Sequence, residues 1–301
     1  MLGALAGLGS AGLYGAGQPV WAADAAPRHK PIPSSGESLP VIGLGTWITF
    51  NVGNDRAALD GCTEVMRGFF DGGGGMIDSS PMYASSQPTI GHGLARLGAA
   101  AGSVFSADKV WTGSGAAAPG QIEASRRHWG VPRFDLLQVH NLVAWQQQLP
   151  QLMAMKAAGQ LRYVGISTSE GRRHDEFERV MRMHPLDFIQ ITYNPLDREA
   201  ERRLLPLAQA RGMAVIVNRP FRQGALLQAL QRHALPGFAA ELGVDSWAAL
   251  VLKYIVSHPA VTVAIPATTR VDHVRQNLGA ARGPWPDAAL RERIARHIAA
   301  L

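Results

Sequence analysis

This sequence predicts an α/β fold closed as a (β/α)8 TIM barrel, and three observations carry the prediction. From Leu39 onward, short apolar runs of strand length alternate with longer stretches of helical period. The runs are apolar throughout, as strands covered on both faces of a parallel sheet are. Roughly eight such units fit into about 260 residues, the size of a closed barrel. An open doubly wound sheet uses the same alternation and is the competing architecture.

The elements follow in order. A first strand is expected at 41–44, after Pro40. Leu59, Cys62, Met66, Phe69 and Phe70 then fall on one helix face, and the glycine run 72–75 ends that helix. The second strand is expected at 76–78 with a helix near 89–97, the third at 104–111 with a helix at 121–128, and the fourth at 134–139 with a helix at 147–158. The fifth lies at 163–166 before 175–183, the sixth at 188–191 before 198–210, the seventh at 214–217 before 246–257, and the last at 262–265 before 271–281.

Composition removes several classes of function. With 47% hydrophobic and 17% charged residues the chain can bury enough surface to order itself. Cys62 is the only cysteine, so there is no internal disulfide and no thiolate cluster; one acid and one histidine at the strand ends make a poor ligand set, and no metal is expected. The net charge of +6 is spread over pairs such as Arg126–Arg127, Arg172–Arg173 and Arg202–Arg203 with acids nearby, so no nucleic-acid partner is expected.

Residues 1–38 read as a signal-peptide-like segment and a linker, and 39–301 as the barrel. The first stretch is rich in small and apolar residues, uncharged before Asp24, and ends in Ala23-Asp24-Ala25, which fits a signal-peptidase site. Export to the periplasm by the twin-arginine route is expected, with a basic start lying upstream of the first residue; a cytoplasmic tail is the alternative. Repeated glycines and Pro19 argue against a stable membrane anchor. Gly7-x-Gly9-x-x-Gly12 matches a dinucleotide fingerprint, but too little chain precedes it to form the strand that gives the motif meaning.

In parallel α/β folds chemistry gathers where strands end. The second strand ends in Asp78 and runs on to Met82-Tyr83, the third carries Lys109, and the fourth leads to His140-Asn141. Taken singly, these residues also suit capping, surface or packing roles. Together they suit proton donation. An ammonium lowers the pKa of a phenol, a carboxylate holds the ammonium, and an imidazole orients a carbonyl. No residue supplies a nucleophile, and a hydride from a reduced nicotinamide fills that role.

These residues, with Gly43-Leu44-Gly45-Thr46-Trp47, Gly165-Ile166-Ser167 and Ile265-Pro266 followed by Asn277, resemble the aldo-keto reductase superfamily over about residues 39–281. The resemblance implies a barrel that binds NADP(H) without a Rossmann domain and reduces a small-molecule aldehyde or ketone, here as a monomer. It makes Tyr83 the general acid, tuned by Asp78 and Lys109, with His140 orienting the carbonyl. Ser167 and Gln190 would contact the nicotinamide carboxamide, and Asn277 would read the adenine.

The cofactor half departs from the usual pattern. Thr168 stands where asparagine is usual. The stacking aromatic is replaced by Asn218, followed by Arg219, Pro220 and Phe221, so Phe221 or Tyr193 is left to stack. The usual lysine aligns with Ala267 beside Thr268, while His273 and Gln276 stand for arginine and glutamate; Arg270 is the compensating cation, and NAD(H) becomes possible beside NADP(H). Trp47, Met82, Trp111 and Asn141 are expected to line the substrate pocket, with Trp145 nearby. The alternative function is a non-catalytic nucleotide-binding barrel acting as a redox sensor or binding subunit.

Overall fold

The computed structural model of the chain describes residues 26–102 and 104–301. The signal-like stretch and the Gly7-x-Gly9-x-x-Gly12 motif lie outside these residues, apart from the final alanine of the stretch.

The first elements correct the reading of residues 27–38 as a linker. β1 (His29–Pro31) and β2 (Ser38–Pro40) pair antiparallel, with His29 opposite Pro40. Their turn places Ile32 and Leu39, 0% and 3% exposed, against Met76, Phe105, Leu136 and Phe188. The hairpin thus plugs the barrel floor. Lys30 ties it down, its ammonium donating to the carbonyls of Val256, His258 and Val261 at 2.8, 2.8 and 2.6 Å. Each strand has three residues, too few to show a period in the sequence.

Eight parallel strands then follow in sequence order: β3 (Leu44–Gly45), β4 (Met76–Asp78), β5 (Phe105–Val110), β6 (Leu136–Val139), β7 (Tyr163–Ser167), β8 (Phe188–Thr192), β9 (Ala214–Asn218) and β10 (Val263–Ala264). The ends meet. Gly43 N–H donates to Ala264 O at 2.8 Å and Gly45 N–H to Pro266 O at 3.0 Å, which closes the barrel. A Cβ on Gly45 would stand 2.6 Å from the Ile265 carbonyl, so the seam needs glycine there.

The helices are α1 (Arg56–Asp71), α2 (Ser86–Leu97), α3 (Ala118–Trp129), α4 (Trp145–Ala157), α5 (His174–Met183), α6 (Leu204–Ala210), α7 (Ala225–Leu230), α8 (Phe238–Glu241), α9 (Trp247–Val256), α10 (Val271–Gly279) and α11 (Ala288–Ala299). No described helix is long and apolar enough to cross a membrane.

The strand period of two sorts the barrel interior into tiers. Met76, Phe105, Ala107, Leu136, Tyr163 and Phe188 form an apolar lower tier. Two residues on from Met76, Ala107, Leu136 and Phe188 come Asp78, Lys109, Gln138 and Gln190, all buried. The polar tier is therefore set by strand register, at the end of the barrel where the strands stop.

Candidate active site

Lys109 anchors the polar tier. Its Nζ donates to Asp78 Oδ2 at 2.5 Å and to Ser79 O at 2.7 Å, and both side chains of the ion pair are almost fully buried. The other carboxylate oxygen accepts from Gln190 Nε2 at 2.8 Å and from Gln138 Nε2 at 3.5 Å. Burial works against the ammonium, but Asp78, Tyr83 and Asp108 hold the Lys109 pKa above the ordinary lysine value.

Tyr83 stands over this cation. The turn after β4 positions it, with Tyr83 N–H donating to Ser80 O at 2.9 Å and Tyr83 O accepting from Ser86 N–H at 3.0 Å, where α2 begins. Its ring centre is 5.2 Å from Lys109 Nζ and 5.9 Å from the His140 ring, which it meets edge-on. Burial raises the Tyr83 pKa above its ordinary value, and Lys109 is the largest opposing influence. The ammonium acts in the direction the sequence predicts, but desolvation outweighs it. The phenol consequently keeps its proton.

His140 leaves β6 at the same level. Its Nδ1 lies 2.8 Å from Ser167 Oγ on β7, and its Nε2 is buried without a hydrogen-bond partner. Burial, followed by the charge of Lys109, pushes its pKa well below the ordinary histidine value, so the ring is neutral. A phenol, a neutral imidazole and a buried ammonium thus surround one spot where a polar atom of a ligand would be met.

That spot opens into a cavity of about 840 Å³, walled by Asp78, Tyr83 and His140 with Lys109 beneath. Of the expected cofactor residues, Gln190, Asn218, Arg219, Pro220, Phe221, Thr268, His273, Gln276 and Asn277 line it. Three are used otherwise. Ser167 serves His140, Thr168 Oγ1 donates to Arg172 O at 2.7 Å, and Arg270 is exposed and closed onto Asp272. Tyr193 is fully buried with its hydroxyl bonded to Glu201 and Tyr254, so of the two stacking candidates Phe221 is the one on the cavity wall.

Trp47, Met82 and Asn141, the residues expected at a substrate pocket, also lie on the wall of this cavity. Trp111 does not share that wall: the residue is 41% exposed and its backbone is held by Gln121. Trp145 donates instead to Glu176 at 2.9 Å.

Sequence reasoning passes over Ile48, Glu170 and Arg172 on the cavity wall, and several wall residues between Leu227 and Trp247, among them Gln231, Leu235 and Asp245. Glu170 and Arg172 follow the end of β7, so the strand-end rule was able to flag them. α7 and α8 have six and four residues, too short for a helical period. Every described non-glycine residue with positive φ, from Ile48 and Ala84 to Arg219, Arg222 and Gln223, lies on a loop leaving this end of a barrel strand. Backbone strain is concentrated around the cavity.

Residues 41–292 match the family model described as the aldo/keto reductase family. The chain is 29% identical over 168 residues to an uncharacterised oxidoreductase of Schizosaccharomyces pombe, covering 54% of this chain and 51% of that protein. It is 27% identical over 217 residues to an aldo-keto reductase of Bacillus subtilis, covering 66% and 63%. The chain thus spans between about half and just under two thirds of these curated relatives. Among solved structures, an aldo/keto reductase from Klebsiella pneumoniae in complex with NADP and acetate superposes with a TM-score of 0.72 at 26% identity, covering 86% of this chain and 93% of that one.

Proposed function

The chain belongs to the aldo/keto reductase family, and from that premise we propose that it is an NAD(P)H-dependent oxidoreductase that reduces small aldehydes or ketones, with Tyr83 as the proton donor. The observation that carries this reading is the stack of Asp78, Lys109 and Tyr83 beside His140 at the floor of one cavity.

The wall chemistry fits a dinucleotide. Gln190 and Asn218 suit a carboxamide, Gln276 and Asn277 suit an adenine edge, and Arg172 and Arg219 suit a diphosphate. A volume of about 840 Å³ is in the range of cofactor and ligand sites. The reduced nicotinamide, when bound, supplies the hydride.

The chain's own residues handle the oxygen. His140 is neutral, and its unpartnered Nε2 gives the carbonyl oxygen a fixed hydrogen-bonding atom. Tyr83 passes its phenolic proton to that oxygen as negative charge develops there. Lys109 then stabilises the phenolate, and Asp78 keeps the ammonium in place.

The NADP complex of the Klebsiella pneumoniae protein supports NADP(H) as cofactor. NAD(H) is also admitted, because Arg270 is spent on Asp272 and does not reach the cavity wall. Trp47, Ile48 and Met82 give the substrate side an uncharged, largely apolar wall, which favours apolar carbonyl compounds over carboxylated or phosphorylated ones. The amino-terminal stretch supports export to the periplasm; sequencing the amino terminus of the protein recovered from that compartment tests it.

Following NADPH absorbance with a panel of aldehydes tests the reaction. Wild type should turn over, and Tyr83→Phe should lose about 10²- to 10⁴-fold, the usual contribution of a general acid, while still binding nucleotide. Tight nucleotide binding with no turnover by either protein would favour a non-catalytic binding barrel, the reading that the substitution of Asn218 for a stacking aromatic supports.

A further inference from the structure

The cavity wall carries two arginines and one carboxylate that holds both of them. Glu170, on the loop after β7, places Oε1 2.9 Å from Arg219 Nη1 and forms an ion pair with Arg172 through its other oxygen. Arg219 comes from the loop after β9, so the contact spans the intervening β8. Glu170 and Arg219 are non-glycine residues held at φ values of 60° and 50°. Their backbones are fixed, Glu170 N–H donating to Thr192 Oγ1 at 3.0 Å and Arg219 O accepting from Asn194 Nδ2 at 3.3 Å.

Among the described residues these are the arginines on the wall, and no lysine joins them there. Two guanidinium groups flanking one carboxylate form an anion receptor with an internal anion in it. A dinucleotide brings a diphosphate, which needs the same donors.

We propose that Glu170 competes with the diphosphate of the dinucleotide for Arg172 and Arg219, and so sets how tightly nucleotide is held. The inference rests on the dinucleotide reading of this cavity. Binding transfers the guanidinium donors from the carboxylate to the diphosphate. Glu170 moves aside at the expense of its ion pairs, so affinity stays below what the arginines alone would give. Weaker retention favours exchange of spent for fresh nucleotide.

The test is calorimetric titration of NADPH and NADH into wild type, Glu170→Gln, Arg172→Gln/Arg219→Gln and the triple variant, at low and moderate salt. Glu170→Gln should tighten both nucleotides about fivefold, the scale of a partly exposed ion pair, and should make binding fall more steeply with salt. In the background lacking both arginines, the Glu170→Gln gain should vanish. Unchanged or weaker binding by Glu170→Gln overturns the proposal, as does a gain that persists without the arginines, since that would mark plain charge repulsion. Wild type that binds neither nucleotide would overturn the dinucleotide reading and this proposal with it. Binding by wild type with no effect of Glu170→Gln would overturn this proposal alone.

Discussion

Asp78 and Lys109 sit on adjacent strands of the barrel, nearly sealed from solvent, with 2.5 Å between carboxylate and ammonium. Each makes the other tolerable, since an unpaired charge in that position has no water to fall back on. Lys109→Met should cost about 3–5 kcal/mol of stability, the usual penalty of breaking a buried pair. Asp78→Asn/Lys109→Met should be less destabilised than Lys109→Met, because no charge is then stranded. Urea unfolding of the single and double variants checks this. Both variants should also be slow reductases, since losing the cation pushes the Tyr83 pKa still higher and makes its phenol a weaker acid.

A broad pH plateau is expected for carbonyl reduction. His140 is held well below its ordinary pKa of 6.5, so it does not charge until the medium is clearly more acid than that. Tyr83 is held above its ordinary 10.0, so it keeps its proton until beyond that pH. Both groups stay in their working forms between these limits. The rate at saturating NADPH should therefore show no inflection from about pH 6.5 to 10; an inflection near neutrality that disappears in His140→Asn would reject the neutral imidazole.

Much of this site is legible in the sequence because strand ends are. Asp78 ends one apolar run, Lys109 sits near the end of another, and His140 follows a third, so the register that brings them together is implied by eight short strands in order. Burial is not written there in the same way. The sequence places an ammonium near Tyr83 but gives no measure of desolvation, and desolvation decides the direction of the phenol's shift. Partner choice is also hidden. Ser167, Thr168 and Arg270 have the chemistry to touch a nucleotide, yet each is taken by a neighbour whose position only the folded loops define. The hairpin plug escapes for a third reason, since Ile32 is a lone apolar residue between two prolines and Leu39 is separated from the first apolar run by Pro40.

Asp108 faces away from the barrel interior and gives stability its own pH dependence. It is fully buried, accepting from Gln87 Nε2 at 2.6 Å and from Lys109 N–H at 2.7 Å. Burial pushes its carboxyl up to about 7 from an ordinary 3.8. The folded state therefore binds this proton more tightly than the unfolded chain, and the contribution, complete below the unfolded pKa, is lost as pH rises through the folded one. Across about pH 4 to 7 the loss should amount to about 3–4 kcal/mol. Asp108→Asn should flatten that slope in urea unfolding, the Gln87 amide turning over to accept from the new side chain.

At the rim of the cavity Ile48 holds a φ of 67°, with Thr49 N–H donating to Trp47 O at 2.8 Å to close a tight turn around it. A β-branched side chain in left-handed backbone costs about 1–2 kcal/mol, and glycine avoids that cost. Ile48 is 61% exposed and buries little apolar surface in return, yet its side chain lines the mouth beside Trp47. The strain is thus spent on shaping the entrance. Ile48→Gly should stabilise the protein by about 0.5–1 kcal/mol after the entropy of an added glycine is counted, while KM for an apolar aldehyde rises severalfold and kcat is kept. Ile48→Ala should raise KM without the gain, because alanine keeps most of the left-handed penalty. Thermal unfolding and steady-state kinetics on both variants separate the two effects; stabilisation by alanine equal to that by glycine would show that the side chain, and not the backbone, is the source of the strain.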